Sequence, residues 1–173
     1  MGDSLITIVA IFLAAILMFV FPLAAISEMN DNEALAIVQS YTTEFVNKIR
    51  SKGIITVEDY EAYIQQLHAT GNSYDIQFEI KKADTNPGKK TQNQQVGDTT
   101  YYGEYTAQVI DRLYADTDGG VYRLKEGDHV GVSIKNTNTT ISQMIKNVLY
   151  SVTGDASYVI SAQASGACVA NGY

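Results

Sequence analysis

Leu5-Ile6-Thr7-Ile8-Val9-Ala10-Ile11-Phe12-Leu13-Ala14-Ala15-Ile16-Leu17-Met18-Phe19-Val20-Phe21-Pro22-Leu23-Ala24-Ala25-Ile26 runs without a charge for about 22 residues. As a helix it extends about 33 Å, enough to cross the roughly 30 Å hydrocarbon core of a bilayer. Asp3 is the only charged side chain before it, and Glu28 is the first after it. No polar residue alternates through Ile8 to Leu17, so a soluble protein would have to bury this helix on every side. The chain therefore divides into one apolar segment and a polar remainder.

The run has three readings. A secretory signal carries a basic n-region and an apolar core of about 7–15 residues. Here Met1-Gly2-Asp3-Ser4 holds no Lys or Arg, and the apolar run is longer than that. Ala25-Ile26-Ser27, just after Pro22, nevertheless fits a small-x-small cleavage site. Length and flanks favour a membrane anchor over a cleaved signal or the buried helix of a soluble protein. Lys48 is the first basic residue, too far along to bias topology. Compartment is read from the rest of the chain. It is rich in Thr, Asn, Gln, Gly and Tyr, with a formal net charge of −7. Such a surface suits the outside of a cell and argues against nucleic acid, whose phosphates need a basic patch. The one cysteine, Cys168, has no partner for an internal disulfide. Its small apolar neighbours point to a buried, inert thiol.

Beyond the apolar run, Leu35, Val38, Thr42, Phe45 and Ile49 recur at 3,4,3,4 spacing and predict one buried helix face. Asp31 and Glu33 precede this stripe and Lys48, Arg50 and Lys52 end it, the order a helix dipole favours. Gly53 supplies a stop. The helix either continues unbroken from about Ser4 to Arg50, roughly 70 Å, or breaks at Asn30-Asp31-Asn32, a good capping sequence. Pro22 removes one backbone hydrogen bond and should kink or loosen it.

Thr56 is an N-cap, with Asp59 three residues on, for a helix bearing Tyr60, Tyr63, Ile64 and Leu67 on one face and closed by Gly71. Tyr74 to Lys82 alternates as a strand, and Asp84 to Thr99 is a polar loop. Glu104 to Tyr114 is expected to be helical, although Tyr101, Tyr102 and Tyr105 favour a strand. Val121–Leu124 and His129–Lys135 suggest a hairpin across Lys125-Glu126-Gly127-Asp128. Thr139 or Thr140 caps a helix whose Ile141, Met144, Ile145, Val148 and Leu149 line one face, and Tyr158 to Ala170 is the last strand. The fold class is α+β. A long N-terminal transmembrane α-helix is followed by a small head with helices packed on an antiparallel sheet. The boundaries are 1–27 for the apolar helix, 28–53 for its amphipathic extension and 54–173 for an extracytoplasmic head.

No constellation points to catalysis, a metal or a cofactor. His68 and His129 lack ligand companions at helical or CxxC spacing, and no glycine-rich phosphate loop follows a strand. Asp116 and Asp118 beside Gly119-Gly120 have the look of a Ca²⁺ loop, but Gly127 stands where an EF-hand needs its twelfth-position acid. Asn138-Thr139-Thr140 is a glycosylation sequon equally explained by a helix cap. Tyr101, Tyr102 and Tyr105 are either a contact patch or half-buried.

The apolar N-terminal helix with its short tail, Pro22 within it, the amphipathic extension and the α+β head resemble type IV pilins and the pilin-like proteins of Tad and type II secretion systems. Val46-Asn47-Lys48-Ile49-Arg50-Ser51-Lys52-Gly53-Ile54-Ile55-Thr56-Val57-Glu58-Asp59-Tyr60 resembles small anchored proteins of Tad-like pilus systems in Gram-positive bacteria. Pilins carry a basic residue and Gly before the processing site and Glu at the fifth mature position. Gly2 is present without a basic residue, and cleavage after it makes Thr7 the fifth. The resemblance implies processing at Gly2 and a filament core built from apolar helices. The assembly and membrane residues are then Leu5, Ile8, Ile11, Phe12, Ala14, Ala15, Phe19 and Pro22, with Ala10, Ala14 and Ala15 as a small-residue face. The implied partners are membrane lipid and other copies of itself or other pilin-like subunits. The departures suit an accessory subunit or an uncleaved anchored protein. The implied address is a bacterial single-pass membrane protein with an extracytoplasmic head, in or beside a surface filament. The alternative function is a membrane-anchored extracytoplasmic binding or sensing module.

Overall fold

The computed structural model describes residues 2–83, 101–115, 119–150 and 160–172, with side chains omitted at 148–150. Helix α1 runs unbroken over Gly2–Lys52, 51 residues, a rod about 76 Å long. The break offered by Asn30-Asp31-Asn32 is not taken. Asp31 is committed elsewhere: its Oδ2 accepts from Thr140 Oγ1 at 2.8 Å. The helix ends at Gly53, where φ is +70° and an added Cβ would stand 2.6 Å from the Ala170 carbonyl oxygen. Only glycine combines that backbone with that approach.

Strand β1 (Ile54–Thr56) leads into α2 (Val57–His68), where the Asp59 N–H donates to the Thr56 side chain at 3.1 Å, the expected cap. Strand β2 (Tyr74–Ala83) follows with Phe78 and Ile80 buried. Tyr101–Tyr105 is strand β3, and α3 begins only at Thr106 and runs to Tyr114. The expected helical start at Glu104 is therefore two residues early. Glu104 lies opposite Ile80 in the ladder, and the Gln108 side chain accepts from the Tyr105 N–H at the helix entrance.

The expected hairpin is not formed. β4 (Val121–Arg123) pairs with β1, whereas β5 (His129–Asn136) pairs with β2 and with β6 (Ser161–Ala167). Asp128 turns the corner between them, accepting from the Lys125 N–H at 2.8 Å and the Ala83 N–H at 3.0 Å. Helix α4 (Ile141–Tyr150) is capped by Thr140 through a reciprocal pair with Gln143. β6 is shorter than expected; Tyr158 and Val159 lie outside the described residues, as do the 84–99 loop, Asp116 and Asp118.

The result is an α+β head with a four-stranded antiparallel sheet, β3-β2-β5-β6, and a two-stranded one, β1-β4. The second half of α1 forms the centre of the core. Val38, Thr42, Phe45 and Ile49 of the predicted stripe are buried, with Leu35 at its half-buried margin. Phe45 stacks on Tyr63 at 4.2 Å, and the core extends to Phe78, Val132 and Leu113. Each such side chain contributes about 1.5–3 kcal/mol by leaving water. α1 also closes the free edge of β6. The Gln39 amide donates to the Gln163 carbonyl at 3.0 Å and accepts from its N–H at 3.3 Å, and Arg50 Nε donates to the Ala167 carbonyl at 2.7 Å. An unpaired strand edge is thereby covered.

Candidate membrane and assembly surface

The N-terminal half of α1 has no protein around it. Leu5 is 66% exposed, Phe12 70% and Phe19 77%. One helix in the described residues, this one, is long and apolar enough to cross a membrane. A helix supplies its own backbone partners, as lipid demands, and Thr7 returns its hydroxyl to the Asp3 carbonyl at 2.8 Å. Pro22 lies inside the helix, so the Met18 carbonyl loses its usual partner.

Helical geometry sorts the predicted surface residues. Leu5, Ile8, Phe12, Ala15, Phe19 and Pro22 repeat at 3,4,3,4,3 spacing, so they share one side of α1, with Ile11 next to them. Ala14 stands on another side, one turn from Ala10. Ala15 is thus separated from the Ala10–Ala14 pair by about 100° of rotation, and the small-residue face reduces to two residues. The head packs on a third side, through Ser27, Asp31, Ala34 and Val38. At 100° per residue, the apolar side bearing Phe12 and Phe19 lies about a quarter-turn around α1 from the face to which the head is fixed. Gly2 begins the helix.

At the other end of the chain's charge pattern, Asp59 accepts from Lys48 at 2.7 Å and from Lys52 at 3.4 Å. Burial alone would raise its carboxyl, but the two ammonium groups hold it below the usual carboxylate range. Two groups weighed for chemistry stand apart. Cys168 is buried, with Sγ against the Arg50 and Ala170 carbonyls at 3.4 and 3.3 Å. His129 is exposed and packs edge-on to Tyr101 at 5.4 Å. The thiol therefore faces α1 and the imidazole faces solvent. His68 is exposed at the end of α2. Among the described residues, no three His, Cys, Asp or Glu side chains gather as metal ligands.

One cluster was not visible in the sequence. Glu104, 4% exposed, accepts from the Tyr122 hydroxyl and pairs with Arg112 at 3.1 Å and Lys82 at 3.6 Å. Lys82 also lies 4.4 Å from the centre of the Tyr122 ring. Burial lowers the Lys82 pKa against the pull of Glu104, and burial followed by the Glu104 hydrogen bond raises that of Tyr122. The four residues come from β2, β3, α3 and β4 and tie the two sheets together. With the carboxylate already shared among three donors, the arrangement is that of a structural tie.

No protein-family model, curated protein or solved structure matches this chain.

Proposed function

We propose that the protein is a pilin-like structural or accessory subunit of a surface filament or secretion pilus, stored in the membrane and assembled through the apolar half of α1. The observation that carries this reading is the continuity of α1: a single helix holds a bare apolar half and a half that forms the centre of the head. A rod of this kind moves from lipid into a helical core without refolding its head. Association of apolar helices away from water depends on close fit. Phe12 and Phe19 supply bulk on one side and Ala10 and Ala14 a shallow side for a neighbour. Ala14→Leu is expected to insert normally yet to lower the amount of this chain in sheared surface filaments. Quantitative blotting of membrane and sheared fractions measures it, and equal filament content for the two forms would count against assembly through this side.

The second reading, an anchored binding module, is favoured by the outer face of the large sheet. Glu79, Lys81, Tyr101 and His129 line a shallow hollow there, floored by Gly131. A chain retained in membranes while a neighbouring pilin assembles without it would support that reading.

A further inference from the structure

Over its first turn, Ile141 to Met144, helix α4 turns polar residues inward and apolar residues outward. Ser142 is 2% exposed and Gln143 7%, whereas Ile141 is 54% and Met144 51% exposed. The inward contacts with α1 are polar. Thr140 Oγ1 donates to Asp31 Oδ2 at 2.8 Å, and Lys146 Nζ donates to Glu28 Oε1 at 2.9 Å. A helix packed on a protein in water shows the reverse pattern. Sequence alone assigned Ile141, Met144, Ile145, Val148 and Leu149 to a single apolar face; of these, Ile141 and Met144 are exposed and Ile145 is half-buried, and the side chains of Val148 and Leu149 lie outside the described residues.

The level of α4 along α1 suggests what the outward face meets. Glu28 and Asp31 lie two and five residues past Ile26, about 3 and 7.5 Å along the helix axis. The polar layer of a bilayer adds about 5–8 Å on each side of the hydrocarbon. Thr140, bonded to Asp31, therefore starts α4 at the outer limit of that layer. Lys146, bonded to Glu28, lies nearer the hydrocarbon. Ile26 and Met29, at the same level on α1, are 57% and 70% exposed. Within Asp3–Ile26 only Val20 and Ala24 are half-buried, and they continue the stripe of Ser27 and Asp31 on which α4 sits. The outward side of α4 is thus continuous in level with the bare apolar surface of α1.

We propose that α4 is an interfacial helix: Ile141 lies among the headgroups, and Met144, further along toward Lys146, enters the boundary between headgroups and acyl chains of the bilayer that holds α1. The inference rests on the membrane-anchored part of the functional reading and not on filament assembly. Lipid is the occupant because it surrounds α1 at this level whenever the chain is held in a membrane. Amphipathic helices that lie in this boundary bury their apolar side by about 5–10 Å. The inward polar bonds of Thr140 and Lys146 hold α4 to α1 and leave Ile141 and Met144 outward for lipid.

The chain contains no tryptophan, so one introduced tryptophan is a clean reporter. Full-length Met144→Trp, Met18→Trp and Ser51→Trp are reconstituted separately in phosphatidylcholine–phosphatidylglycerol vesicles containing lipids brominated at shallow or deep acyl positions. Met144→Trp is expected to lose emission most with the shallow label and Met18→Trp with the deep label. Ser51→Trp, about 33 Å beyond Met29 on α1, should lose none. If Met18→Trp is quenched and Met144→Trp is not, the interfacial role is wrong and the anchor stands. If Met18→Trp escapes both labels, the anchor itself is wrong and the inference goes with it. If Met144→Trp is shielded from lipid and from aqueous iodide only at high protein density, the face belongs to a second copy and the proposal is overturned.

Discussion

Thr42 sits in the middle of the apolar stripe of α1 and is fully buried, yet no polar atom of it is unpaired. Its hydroxyl donates to the Val38 carbonyl at 2.7 Å, and because that uses its one hydrogen, Tyr63 donates to it at 2.8 Å. The stripe was legible because a threonine at helical spacing fits a helix face. The partner was not, because Tyr63 comes from another helix. Burial pushes the Tyr63 phenol up to about 12, above its ordinary value of 10.0. The unfolded chain therefore ionises this group first. Its contribution to stability is full below about pH 10 and is lost as pH rises toward 12. By about pH 11 the loss should be on the order of 1 kcal/mol. Denaturant midpoints between about pH 9 and 11 should fall less for Tyr63→Phe than for the unmutated protein; parallel declines would rule out this assignment.

At the scale of elements, legibility followed sequence distance. Thr56 with Asp59, the alternation in Tyr74 to Lys82 and the stripe ending at Gly53 are local patterns, and each formed as expected. β1 and β4 are three residues each and pair across Ile54↔Arg123. So short a strand carries no readable period, and the non-local pairing replaced the local hairpin. The Glu104 cluster was hidden for the same reason, since its members lie on four elements. It makes a prediction. Glu104→Gln keeps the shape but removes the nearest counter-charge of half-buried Lys82, leaving it Asp128, and should cost roughly 1–3 kcal/mol at neutral pH. Thermal unfolding of the full chain in detergent measures this. A change within about 0.5 kcal/mol would mean that the cluster is solvated and not a tie.

For the whole molecule, the division of α1 is what the proposed function rests on. Its Val38–Ile49 side is used up by the head, whereas the side bearing Leu5, Phe12 and Phe19 is bare. The apolar run was plain in the sequence; the direction in which it faces relative to the head required the unbroken helix. The central claim is that copies of α1, or α1 and a related helix, meet through that bare side outside the membrane. The most direct measurement places the photoreactive residue p-benzoylphenylalanine at position 19 in the native host, because it reacts with any nearby C–H bond and needs no group supplied by the neighbour. Surface filaments are sheared off after irradiation and probed for cross-linked chain. The expected result is this chain linked to a neighbouring subunit in the sheared filaments, with unirradiated filaments giving none. Filaments assembled normally and lacking this chain, with all of it left in the membrane as uncross-linked monomer, would contradict it.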